Sequence, residues 1–146
     1  MKVSTRGRYG CRALVDLALH QGPGLVPLGD IARRQEISLA YLEHLIAPLI
    51  AGGIVRSRRG TQGGVSLLRD PREIKLSEVV QLLEGPIAPV ECVDNPQICL
   101  RSEVCPTRHI WLELNRAMNE ILESTTLHDL LERQEEKSDT QNHSND

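Results

Sequence analysis

Residues 52–68, GGIVRSRRGTQGGVSLL, constrain the fold of this chain more than any other stretch. Gly52-Gly53 terminates the helical pattern that precedes it. Ile54 to Arg58 and Val65 to Leu68 then read as two short strands around RGTQGG, whose glycines supply the permissive backbone of a hairpin loop. The hairpin tip is basic, with Arg58 and Arg59 side by side. Three helical patterns lie ahead of it. Residues 7–20 place Cys11, Leu14, Val15 and Ala18 at three- and four-residue spacings, with Leu17 alongside, until Gly22, Pro23 and Gly24 intervene. Asp30 to Gln35 form a short second helix. Ser38 is placed to cap a third from Leu39, which would bury Leu42, Leu45, Ile46 and Leu49 and leave Ala40, Tyr41, Glu43 and His44 nearer solvent. Pro48 removes a backbone donor and is expected to kink or divide that helix. Three helices followed by a hairpin with a basic tip is the order of a winged helix-turn-helix.

Charge points the same way. Up to Arg72 there are eleven Lys+Arg against five Asp+Glu, a balance of +6; from Glu73 onwards six stand against fifteen, a balance of −9, and the two sum to the net −3. An asymmetry of this size implies that one half meets a polyanion and the other does not. The basic half covers the winged-helix pattern, so binding of double-stranded DNA is the physical reading. Aromatics are only 2% of the chain, with no Phe, so the core must be aliphatic. That scarcity argues against a stacking platform for single strands. The longest apolar run, Leu45 to Val55, is broken by Pro48, Gly52 and Gly53 and is too short to cross a bilayer. The opening MKVSTRGRYG lacks the apolar stretch of a secretory signal, and a cytoplasmic protein with no membrane partner is expected.

The acidic half begins with a helix from Leu76 to Leu83 and a Pro/Gly hinge, EGPIAPVE. No period is sustained between Cys92 and Cys105. Beyond them, Trp111, Leu114, Met118, Ile121 and Thr125 mark a long helix, flanked by a second stripe of Ile110, Ala117 and Leu122. Two apolar stripes on one helix bury best against a second copy of it, which predicts a homodimer. Ser124 or Thr125 is placed to cap a last helix through Leu127, Leu130 and Leu131, and the polar tail from Glu135 is expected to be disordered. The chain thus divides into a winged helix-turn-helix region at 1–84, a hinge and cysteine loop at 85–105, dimerisation helices at 106–134 and a tail at 135–146. The fold class is mainly α, with a two-stranded β-hairpin wing and a long carboxy-terminal dimerisation helix.

Cys92, Cys99 and Cys105 are separated by six and five residues in the irregular segment, and His109 follows after three more. Thiolates are the usual ligands of iron–sulfur clusters, and a loop lets them converge. At a helix start, the spacing of Cys105 and His109 would put them on one face. Zinc is the competing metal, although structural zinc sites use short C-x₂₋₄-C knuckles that are missing here. A disulfide with one thiol left over would serve a cytosol only as a redox switch. Cys11 sits on the apolar side of its helix and reads as a small buried hydrophobe. A small electron-transfer protein built on a cluster would have little use for Arg58, Arg59 and a +6 amino-terminal half, so a regulator rather than an enzyme is expected.

The segments STRGRYGCRAL, ISLAYLEHLIAPL and RGTQGGVSL, with Cys92, Cys99 and Cys105 ahead of Trp111, resemble the IscR-type winged-helix transcription regulators of bacteria. EGPIAPVE and ESTTLHDL also resemble a cysteine-metabolism repressor of that family. The resemblance runs from Met1 to about Arg133. It implies a two-iron, two-sulfur cluster and control of cluster-biogenesis genes, with the cluster assembly machinery as a further partner. It also implies base reading by residues matching Ser38, Tyr41 and Glu43, and a minor-groove role for Arg59, which suits the enhanced negative potential there. Ala40 and His44 depart from the serine and glutamine of the pattern. Thr5, Arg6 and Tyr9 are expected at phosphates. In the family pattern the ligand histidine lies midway between the last cysteine and the tryptophan; here that slot holds Arg108, which stays protonated and cannot ligate. The fourth ligand is therefore His109, a carboxylate such as Asp94 or Glu103, or a residue of the other subunit. The same resemblance carries an alternative, a repressor of cysteine metabolism controlled by a protein partner.

Overall fold

The computed structural model describes residues 2–144. Three helices come first: α1 (Thr5–His20), α2 (Leu28–Gln35) and α3 (Leu39–Ala51). The hairpin follows, β1 (Val55–Arg58) and β2 (Gly64–Leu67), antiparallel, with Val55 opposite Leu67 and Arg58 opposite Gly64. Helix α4 (Leu76–Glu84) closes the head, and the single turn α5 (Glu91–Asp94) follows the hinge. The long α6 (Arg108–Ser124) and α7 (Leu127–Ser144) complete the chain.

The caps explain where the first helices start. Ser4 Oγ accepts the Gly7 N–H at 3.3 Å and Ser38 Oγ accepts the Tyr41 N–H at 3.1 Å, each satisfying an orphan donor of a first turn. Pro48 does not divide α3. The donor it lacks leaves only the His44 carbonyl without its helical partner, on the exposed side where water serves. The core is aliphatic throughout: Leu14, Leu17, Ile31, Leu42, Ile46, Leu49, Ile54, Val65 and Leu83 are all at most 2% exposed. Helix α1 lies so close to α4 that a Cβ on Gly10 would run into the Leu83 side chain. A one-residue bridge joins Val26 to Val65 through mutual N–H···O bonds of 2.9 and 2.8 Å, extending the wing sheet. Leu25-Val26-Pro27 is too short and too close to a proline to read as a strand from sequence.

Two expectations about the carboxy-terminal end need correction. Neither Ser124 nor Thr125 caps α7; both hydroxyls donate to the Ile121 carbonyl at the end of α6. Thr126 caps instead, its Oγ1 accepting the Asp129 N–H at 3.2 Å while Asp129 Oδ2 accepts the Thr126 N–H at 2.8 Å. That N–H bond holds the Asp129 carboxyl below the usual carboxylate range. The polar tail is helical to Ser144, since α7 simply propagates once nucleated, and Ser138, Thr140 and Ser144 fold their hydroxyls back onto carbonyls four residues earlier. Residues 145 and 146 of the expected tail lie outside the described residues.

Candidate functional site

The exposed face of α3 carries Ser38, Ala40, Glu43 and His44, with Tyr41 half-buried, while Leu42, Leu45, Ile46 and Leu49 anchor the opposite face in the core. This is the split read from the sequence, and it follows from the 3.6-residue period. Tyr41 is not free to swing. Its ring meets Tyr9 of α1 edge to face, with centroids 6.2 Å apart and planes at 82°, and the Arg12 guanidinium sits 4.8 Å from the centre of the Tyr9 ring. The start of α1, with Thr5 and Arg6 exposed, therefore lies beside α3. Tyr9, expected at a phosphate, is half-buried and packs its ring between Tyr41 and Arg12.

At the wing, Arg56, Arg58 and Arg59 are all exposed. The tip turns through a Gly63 N–H to Gly60 carbonyl bond of 3.0 Å, and a Cβ on Gly63 would collide with the Arg58 carbonyl. The head thus presents a half-turn of α3, the foot of α1 and an arginine-bearing hairpin. Arg12 and Asp16 were not singled out from the sequence. Asp16 is almost wholly buried and takes the Arg34 guanidinium through both oxygens, with bonds of 2.7–3.1 Å, and Gln35 Nε2 at 2.8 Å. Its position on the apolar side of α1 was the available signal.

The cysteine segment is built differently. Cys92 lies in α5, Cys99 follows a 3₁₀ turn, Pro96–Ile98, and Cys105 stands three residues ahead of α6. Because α6 begins at Arg108, Cys105 and His109 do not share a helical face; the Cys105 thiol meets Thr107 Oγ1 at 3.1 Å, and His109 is exposed. That hydroxyl contact, with the Thr107 and Arg108 N–H groups, pulls the Cys105 thiol below its usual range. Arg108 donates from Nε and Nη2 to the Cys92 carbonyl at 3.3 and 3.2 Å, tying the first cysteine to the start of α6. Cys11, by contrast, is pushed up to about 11 by burial and by Glu84. Among the described residues, no three His, Cys, Asp or Glu side chains are grouped closely enough to hold an ion. The donor types suit a cluster nonetheless, with three free thiols and, in the same segment, a buried Ser102 hydroxyl without a partner. Ligation requires the segment to close up.

Helix α6 has no buried residue of its own; Ile110 and Ile121 are 56% and 64% exposed. A groove of about 380 Å³ runs between it, α4 and the hinge, bounded by Val80, Ile87, Met118 and Leu122. No helix among the described residues is long and apolar enough to cross a membrane.

These parts define a winged-helix DNA-binding regulator with a cysteine-bearing segment before its long carboxy-terminal helix. Residues 3–133 match the family Rrf2, described as "Iron-dependent Transcriptional regulator", and the chain belongs to that family. It is 44% identical over 131 residues to the Protein rrf2 of Nitratidesulfovibrio vulgaris, covering 90% of this chain and 87% of that one. It is 40% identical to the HTH-type transcriptional regulator CymR of Bacillus subtilis, covering 89% of each. The solved structure of that CymR, described as the global cysteine regulator of its organism, covers 91% of this chain and 98% of its own with a TM-score of 0.76. The structure of T. potens IscR is 41% identical, covers 94% and 90%, and also has a TM-score of 0.76. These relatives are transcriptional regulators, and the protein is a DNA-binding regulator rather than an enzyme.

Proposed function

We propose that the protein is a homodimeric, operator-specific regulator whose DNA binding answers to a two-iron, two-sulfur cluster held by Cys92, Cys99, Cys105 and His109, and that it controls genes of cluster biogenesis. One observation carries the cluster reading: three free thiols and an unpartnered buried hydroxyl occur together in the short-turn segment that feeds α6. When bound, the cluster supplies a group whose occupancy follows iron, sulfide and oxidant. The chain's own residues do the rest. Cys105 reaches its thiolate form below the usual range because the Thr107 hydroxyl hydrogen-bonds to it. Arg108 couples the Cys92 backbone to the first turn of α6, so drawing the thiols together acts on the helix whose apolar stripes are only half-buried or exposed in one protomer. Pairing of two α6 helices would bury them and set the distance between two winged heads.

On each head, Ser38, Ala40, Tyr41, Glu43 and His44 face base edges, and Arg58 and Arg59 enter the minor groove. Thr5, Arg6 and Tyr9 stand beside the phosphates. Glu43 is repelled by phosphate and is retained because a carboxylate accepts from cytosine N4 and penalises other bases. A second reading, a cysteine-metabolism repressor controlled by a protein partner, is supported by the 40% identity to CymR. Anaerobic purification with iron and sulfide assay and a visible spectrum separates the two. The cluster reading expects iron and sulfide in equal amounts, with loss of both on replacing Cys92, Cys99 or Cys105 by Ser and retention in Cys11→Ala. His109→Ala would leave a labile cluster; a wild-type spectrum there transfers the fourth ligand to Asp94, Glu103 or the partner subunit. Stoichiometric zinc without iron would mark a zinc-stabilised repressor and overturn the cluster.

A further inference from the structure

Between α1, the end of α2 and the stretch of α7 from Leu130 to Lys137 runs a groove of about 580 Å³. Its charged lining is lopsided: Arg12, Arg34, Arg133 and Lys137 face it against a single carboxylate, Asp16. That carboxylate is already occupied by Arg34 and Gln35. Arg133 and Lys137 form no ion pair among the described residues. They stand four residues apart on α7, so both turn towards α1, while Glu132, Glu135 and Glu136 of the same helix do not line the groove. With Asp16 taken up by Arg34, the charges of Arg12, Arg133 and Lys137 share the groove without a carboxylate of their own and repel one another, an arrangement that an anionic ligand would satisfy.

We propose that this groove binds a small multivalent oxyanion, a phosphate- or carboxylate-bearing metabolite, and that its occupancy is felt on α3 through Arg12. The Arg12 side chain serves both places. Nε donates to Gln35 Oε1 at 3.0 Å and Nη2 to the Gln35 carbonyl at 3.3 Å, while the guanidinium lies against Tyr9, which in turn abuts Tyr41. An anion that draws Arg12 into the groove withdraws that support from the tyrosine pair. Coupling then equals the difference in anion affinity between the two settings of Arg12. The coupling rests on α3 being the DNA-reading helix; the binding site does not.

The test uses full-length protein titrated calorimetrically with pyrophosphate and with citrate, against sodium chloride of matched ionic strength. Saturable binding of one or both anions is expected, weakened about tenfold in Arg133→Gln and in Lys137→Gln. Heat from pyrophosphate alone assigns the phosphate class and heat from citrate alone the carboxylate class. The bound anion is expected to shift operator affinity about fivefold or more in the wild type and not in the variants. No saturable heat with either anion, or equal binding by the variants, overturns the site. Weaker operator binding by Arg133→Gln with no anion present means that the groove follows the DNA backbone, and overturns the small-ligand assignment. Anion binding that leaves operator affinity unchanged overturns the coupling. If the wild type binds no operator, the reading of α3 has failed, and calorimetry still decides the site.

Discussion

Helices α3 and α6 are both amphipathic and rich in Leu and Ile, yet α3 buries Leu42, Leu45, Ile46 and Leu49 and α6 buries none of its residues. The head around α3 packs its apolar face within one chain and leaves Ala40, Glu43 and His44 exposed, the face proposed for DNA. The arm around α6 leaves Trp111, Leu114 and Met118 only half-buried and Ile110, Ala117 and Ile121 exposed, with its thiols apart. One region is finished by folding alone; the other leaves apolar side chains and thiols in solvent, and the proposed dimer and cluster would complete it. Sequence periodicity looks the same in both, because it records which side is apolar and not what covers it.

The sharpest way to break this contrast is to truncate one residue in each helix. Leu45→Ala should cost about 2–5 kcal/mol of stability in urea unfolding, through lost transfer energy plus a cavity. Ile121→Ala, 64% exposed in the protomer, should cost about 0.5 kcal/mol or less at protein concentrations where the chain is monomeric, while weakening the dimer in sedimentation. Equal losses from the two would mean that α6 is buried within its own protomer after all.

Next comes the polar anchor of the head. Asp16→Ala strands the Arg34 guanidinium, whose side chain is still 27% exposed, so the loss should be about 2–3 kcal/mol, at or below the low end for a broken buried pair. Arg34→Leu added to it should recover part of that loss. No recovery would place the effect in α1 packing rather than in the charge.

The winged-helix order was legible because Gly52-Gly53 and RGTQGG punctuate it, and the α3 face because Leu42, Leu45, Ile46 and Leu49 keep a strict helical period. The Val26 bridge was not, since a single paired residue leaves no periodic trace. Tyr9 illustrates a second limit: a tyrosine beside basic residues reads as a phosphate contact, and nothing in that pattern shows the packing of its ring against Tyr41 and Arg12. The Thr126 cap was missed by one residue because Ser124, Thr125 and Thr126 offer the same chemistry in a row. In the cysteine segment, spacing gave the donor types but not the start of α6, and so suggested a shared face for Cys105 and His109 that the helix boundary removes.

On the DNA side, Arg59→Ala should weaken operator binding by about 1–3 kcal/mol and relax any preference for a narrow minor groove, measured in a salt titration. Glu43→Ala should instead hold or strengthen non-specific binding while discrimination falls at one base pair. A uniform loss in Glu43→Ala, or none in Arg59→Ala, would remove those residues from the reading surface.

The smallest expected effect compares thiols at the two ends of the molecule. In cluster-free protein at pH 8, Cys105, held below its usual range by Thr107, should alkylate more than about tenfold faster than Cys11, which burial pushes up to about 11. Comparable rates would erase the electrostatic difference between the regions.

Whether the arm speaks to the head is decided by operator affinity measured anaerobically on the same preparation with its cluster reconstituted and then removed. The account predicts a shift of about fivefold or more in affinity or site preference, abolished by Cys99→Ser. Identical operator binding in the two states, with a cluster demonstrably present in one, would contradict it.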